Sequence, residues 1–82
     1  MVSLAEKLNK KHVLVFATDL MSRYDVQKVT RQLNKIDSIL RWTVDLFDWE
    51  RVLRVEVQNL KSAQEIKTIL RSRGYQCEDL NH

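Results

Sequence analysis

The chain has no proline, one glycine and one cysteine among its 82 residues. With so little turn-forming material, short connections between regular elements are expected. A lone cysteine cannot close a disulfide within the chain, which suits a reducing compartment; the cytoplasm is the expected location. No apolar run approaches the ~20 residues of a membrane span, so no membrane association is expected. The opening "MVSLAEKLNKKH" mixes apolar and charged residues and lacks the continuous apolar stretch of a signal peptide.

What is present describes a small globule. Apolar residues make up 44% and charged residues 30%, enough for one domain around one core. The net charge of +3 is mildly basic, but most Lys and Arg alternate with Asp and Glu. That pattern belongs to a solvated surface, and nucleic acid is not expected as a partner.

Periodicity then orders the elements. "HVLVF", His12 to Phe16, is a short β-rich run. From Ser22 the period changes: Val26, Val29, Leu33 and Ile36 recur at steps of three and four and form one helical stripe. "LRWTVDL" alternates, with Leu40, Trp42, Val44 and Leu46 on one face and Arg41, Thr43 and Asp45 on the other. "FDWER" breaks that alternation and leads into "VLRVEVQ", where Leu53, Val55 and Val57 alternate with Arg54 and Glu56; the two strands form a hairpin. "SAQEIKTILRSRG" returns to helical spacing, and Gly74 stands where a helix end favours a left-handed residue. "YQCEDL" closes the chain as a last strand. The order predicts an α+β, ferredoxin-like βαββαβ sandwich: a four-stranded antiparallel sheet with both helices on one face. Residues 1–11 form an extension, with Leu4 and Leu8 one turn apart as in a short helix; 12–80 form the domain and 81–82 a tail.

Three tetrads share one form: Ser3-Leu4-Ala5-Glu6, Ser22-Arg23-Tyr24-Asp25 and Ser62-Ala63-Gln64-Glu65. A Ser followed three residues later by an acid is a capping box. The hydroxyl accepts from one of the unpaired N–H groups at the helix start, and the acid reaches back to the Ser N–H. Each cap contributes about 0.5–2 kcal/mol. The first expectation for Ser22 and Asp25 is therefore helix initiation.

The residues also resemble a family. "FATDLMSRYDVQKVTRQLNKIDSILRWTVDL", "RVLRVEV" and "SAQEIKTILRSRGYQCEDL" together look like the heavy-metal-associated domain, the fold of copper chaperones and of the N-terminal domains of metal-pumping ATPases. The likeness spans residues 12–80. It is nearest to the short bacterial form with a W-x-V-D second strand and a Gly-Tyr lead into the last, matched by Trp42, Val44, Asp45, Gly74 and Tyr75. The resemblance implies a Cys-x-x-Cys pair in the loop before the first helix, where two thiolates grip a soft ion such as Cu(I). Aligned here, those positions are Ser22 and Asp25, and neither is a cysteine. A hydroxyl and a carboxylate are hard, weak ligands for Cu(I). No bound metal and no cofactor are expected at these degenerate positions.

Other residues carry weaker signals. Cys77 in the last strand reads as a packed small hydrophobe. His12 and His82 lack the spacing of a zinc site. Metal binding through Asp25, Cys77 or a histidine remains the alternative function. The resemblance implies that the end of the sheet carrying the first loop meets partner domains, which makes Arg23, Tyr24, Arg73 and Tyr75 candidate contact residues. Phe47 and Trp49 in the hairpin turn either fold over the core or mark a contact surface. The third strand, "VLRVEV", lacks the aromatics with which an RNA-recognition motif stacks bases. No nucleophile–base pair, paired acids or phosphate loop points to an enzyme. The sequence thus reads as a stand-alone, non-enzymatic protein-interaction domain, with a protein partner or a second copy as the classes of occupant.

Overall fold

The strand pattern of the sequence becomes a single sheet in a computed structural model that describes residues 11–80. The expected N-terminal helix, its Ser3–Glu6 box and His82 lie outside the described residues. In chain order the elements are β1 (His12–Thr18), α1 (Arg23–Leu33), β2 (Ile39–Asp45), β3 (Val52–Val57), α2 (Ser62–Ser72) and β4 (Cys77–Asp79). The sheet has four strands in the order β2-β3-β1-β4, and every neighbouring pair is antiparallel. This is the expected ferredoxin-like βαββαβ sandwich.

Registers explain which side chains meet. Phe16 of β1 pairs with Leu53 of β3, and Thr18 pairs with Cys77 of β4. Phe16, Leu53, Val55, Val57 and Cys77 are fully buried, as are Val29 and Leu33 of α1 and Ile66 and Leu70 of α2. The helical stripes therefore close over one face of the sheet. Each fully buried Leu, Ile, Val or Phe contributes about 1.5–3 kcal/mol of transfer free energy, so this layer supplies the main driving force for folding.

Two expected features differ. The alternation predicts Leu40 on the core face of β2, but a register shift between Ile39 and Arg41 leaves Leu40 48% exposed, and Ile39 packs against the core in its stead. A bulge puts two residues opposite one and so inverts the side-chain alternation for that step. The second difference is Ser62, which does not cap α2. Ser62 is buried and shares a hydrogen bond between its hydroxyl and that of Ser38. The turn begins earlier, where Asn59 Oδ1 accepts from the Lys61 N–H at 2.9 Å and the Asn59 carbonyl accepts from the Ser62 N–H at 3.1 Å. Once Asn59 opens the turn, Ser62 falls on its inner side, and a buried hydroxyl must find a polar partner there.

The end of α2 matches expectation. Gly74 has φ +90°, its N–H donates to the Arg71 carbonyl at 3.0 Å, and the Tyr75 N–H donates to Leu70 at 3.0 Å. That pair of bonds is a Schellman cap, and glycine supplies its left-handed residue. The cap turns the chain so that Tyr75 packs against the core on its way into β4.

Candidate functional site: the loop before the first helix

Loop 19–22 connects β1 to α1 and is anchored by Leu20, which is fully buried among core residues. Met21, beside it, is 63% exposed. Ser22 has extended backbone (φ −151°, ψ 171°) and caps α1, its Oγ accepting from the Asp25 N–H at 3.4 Å. Asp25 also reaches back, but to the residue before the cap: its Oδ2 accepts from the Met21 N–H at 2.9 Å. The expected return bond to Ser22 N–H is thus displaced by one residue. A carboxylate in the first turn also lies favourably in the helix dipole.

The second carboxylate oxygen defines the site. Asp25 Oδ1 accepts from the Tyr75 hydroxyl at 2.7 Å, across 50 residues of sequence. Nearby, Asp19 Oδ1 accepts from the Gln76 N–H at 2.7 Å. Together these two bonds latch the first loop onto the segment leading into β4. The Tyr75 hydrogen bond, followed by the Met21 N–H, holds the Asp25 carboxyl below its ordinary range. The same bond, with partial burial second, pushes the Tyr75 phenol up to about 12. Each partner thus favours the protonation state that keeps the bond: an ionised acceptor and a neutral donor.

The third member of this end is the hairpin turn. Thr18 N–H donates to the Glu50 carbonyl at 3.0 Å and its Oγ1 donates to the Arg51 carbonyl at 2.6 Å, so the turn is stitched to the end of β1. Asp45 Oδ1 accepts from the N–H groups of Phe47 and Asp48 at 3.0 and 3.2 Å, which fixes the turn from its start. Arg51 closes it at φ +47°, with its guanidinium on the Leu46 carbonyl. Phe47 and Trp49 do not fold over the core: they are 101% and 86% exposed.

The sequence-derived contact residues separate into two groups. Tyr24 is 67% exposed, with the Lys28 ammonium 4.7 Å from its ring centre, and Arg23 is exposed beside it. Tyr75, by contrast, is committed to Asp25 and the core. Arg73 donates to the Gln32 side chain once that amide is oriented with its oxygen toward the guanidinium. Sequence reading missed Asp19, Met21 and Thr18. No local pattern marks them, although placing Tyr75 beside the first loop had already brought a phenol close to Asp25.

The donor set can be tested against a soft metal ion. Ser22 Oγ and both Asp25 oxygens are hydrogen-bonded acceptors, and none is sulfur. The residues present do not fit Cu(I), which prefers thiolates. Cys77 cannot substitute from β4: it is fully buried, and desolvation pushes its thiol up to about 12. Among the described residues no group of three or more His, Cys, Asp and Glu side chains gathers as a metal site. A separate basin of about 400 Å³ lies on the helix-free face, lined by Val15, Thr43, Asp45, Asp48, Val52, Arg54 and Leu80. No helix among the described residues is long and apolar enough to cross a membrane.

A four-stranded β2-β3-β1-β4 antiparallel sheet under two helices is the ferredoxin-like fold, on which the heavy-metal-associated domain is also built. One solved structure with this fold is the apo form of the heavy-metal-associated domain of a copper chaperone for superoxide dismutase. It is 20% identical, with a TM-score of 0.69 over 99% of this chain and 79% of that one. No protein-family model matches the sequence, and no curated protein matches it either.

Proposed function

We propose that this chain is a non-enzymatic protein-interaction domain on the heavy-metal-associated fold, with the metal position given over to holding its own first loop. One observation carries the reading. The end of the sheet that holds the Asp25–Tyr75 latch also presents Met21, Tyr24, Phe47 and Trp49, each more than 60% exposed. Large apolar side chains exposed together at one end of a domain are a feature of interaction sites. Tyr, Trp and Met are also residue types enriched in interfaces.

Closed polar bonding supports the same reading. Asp25, Asp19 and Ser22 spend their oxygens on the chain itself, which stiffens the loop and pre-organises the surface around it. Arg23 beside Tyr24 supplies the rim charge, and Arg73, the residue after α2, is exposed as well. Handling a metal through other ligands has no comparable support, because the nearest thiol is the buried Cys77. The cytoplasm is the compartment this reading expects.

Comparison of wild type with a Phe47→Ser, Trp49→Ser double variant tests the surface. Both side chains are solvent-exposed, so the thermal midpoint should change little, while capture of a protein partner from the native cell should be lost. Undiminished capture by a folded double variant would remove the hairpin from the interface.

A further inference from the structure

The outer edge of the sheet carries a self-complementary pattern. Strand β2 is one edge, with β3 on its inner side only, and it is seven residues long against three for β4 at the other edge. Alternate residues of an edge strand point N–H and C=O groups at solvent, ready to pair with another strand. Natural edges are usually blunted by charged side chains, above all Lys, by Pro or by a bulge. Strand β2, "ILRWTVD", has neither Lys nor Pro, and its bulge lies at its start between Ile39 and Arg41, leaving Arg41–Asp45 regular.

We propose that β2 pairs antiparallel with β2 of a second copy of this chain, on a two-fold axis through Thr43. This register sets Arg41 opposite Asp45 of the second copy, Trp42 opposite Val44 and Thr43 opposite Thr43, each twice or on the axis. Opposite charges, an aromatic with a β-branched residue, and Thr with Thr are all favourable cross-strand pairs. Shifting the axis by one residue to Trp42 or Val44 leaves Arg41 facing Thr43 or Phe47, with no acid opposite it. Charge complementarity therefore selects one register and one occupant.

The groups needed for the pairing are available. Arg41 uses Nε on Glu56 Oε2 at 3.2 Å, and its side chain is 71% exposed, so the guanidinium retains further donors. Asp45 Oδ1 serves the hairpin turn, and among the described residues nothing bonds its Oδ2. The resulting sheet has eight strands, with the first loops of both copies left open and each hairpin turn beginning just beyond the paired Asp45. The pairing rests on Arg41–Asp45 and the proposed partner surface on residues outside that span, so each is tested by its own variants.

Sedimentation of the full chain over a concentration series should show the mass rising from one chain to two. Thr43→Lys sets like charges on the axis and should abolish that rise, while Thr43 is exposed, so at concentrations where wild type is a single chain the two thermal midpoints should be close. Under mild oxidation Thr43→Cys should yield a disulfide-linked dimer, whereas Arg41→Cys, set against Asp45 of the other copy, should not. A wild type that stays monomeric to its solubility limit overturns the proposal. So does a dimer that persists in Thr43→Lys, or one cross-linked equally well through Arg41→Cys.

Discussion

Asp25 shows how one carboxylate can serve two structural tasks at once. Its two oxygens accept from Met21 N–H and from the Tyr75 hydroxyl, while its own N–H is capped by Ser22. Ser22→Ala should lower unfolding free energy by about 0.5–1 kcal/mol, the lower part of the range for such caps, because the Oγ bond is long at 3.4 Å. Equal denaturant midpoints for variant and wild type would show that the cap contributes nothing. The Asp25–Tyr75 bond has its own pH signature. Asp25 titrates below its unfolded value of 3.8, so its contribution is present above that value and is lost as pH falls through the depressed one. Tyr75 titrates near 12 in the folded chain, above 10 when unfolded; its contribution holds below 10 and is lost as pH rises through 12. In Tyr75→Phe the Asp25 carboxyl should titrate closer to 3.8, followed by carbon-detected NMR. An unmoved titration would mean that the hydroxyl does not hold the carboxylate.

At the scale of elements, the cap on α2 and the entry to β4 act together. Gly74 adopts φ +90°, and a Cβ added there would meet no atom within 4 Å, so Gly74→Ala is opposed by backbone conformation alone. The expected loss is about 1 kcal/mol or somewhat more, read from the urea midpoint. Because Tyr75 follows directly, the same variant should move the Asp25 titration in the direction expected for Tyr75→Phe. A stability loss with an unchanged titration would uncouple the cap from the latch. Much of this layer was legible in the sequence. Alternation at Leu53, Val55 and Val57, the three-four spacing of Val26, Val29 and Leu33, and the lone Gly74 each reflect a local period or backbone preference. The bulge that exposes Leu40 and the inward turn of Ser62 were not legible. Both depend on a competing local choice, Ile39 over Leu40 for the core and Asn59 over Ser62 for the turn, that tertiary packing decides.

Across the whole molecule, the sheet order brings three connections to one end: the first loop, the hairpin turn and the lead into β4. The placement of Tyr75 near the first loop followed from topology, whereas its bond to Asp25 spans 50 residues and has no signature in sequence spacing. Exposure of Phe47 and Trp49 was likewise undecidable from composition, since aromatics in a turn can pack inward or face outward. On the function proposed above, the loop before α1 stands where a metal loop would be while its side chains hold the loop itself. Titration with Cu(I) under a competing chelator, for wild type beside a Ser22→Cys, Asp25→Cys double variant, tests it most directly. The wild type should show no tight one-to-one binding, and the folded double variant should acquire it, because two thiolates then flank the start of α1. Tight one-to-one binding by the wild type would contradict the claim outright.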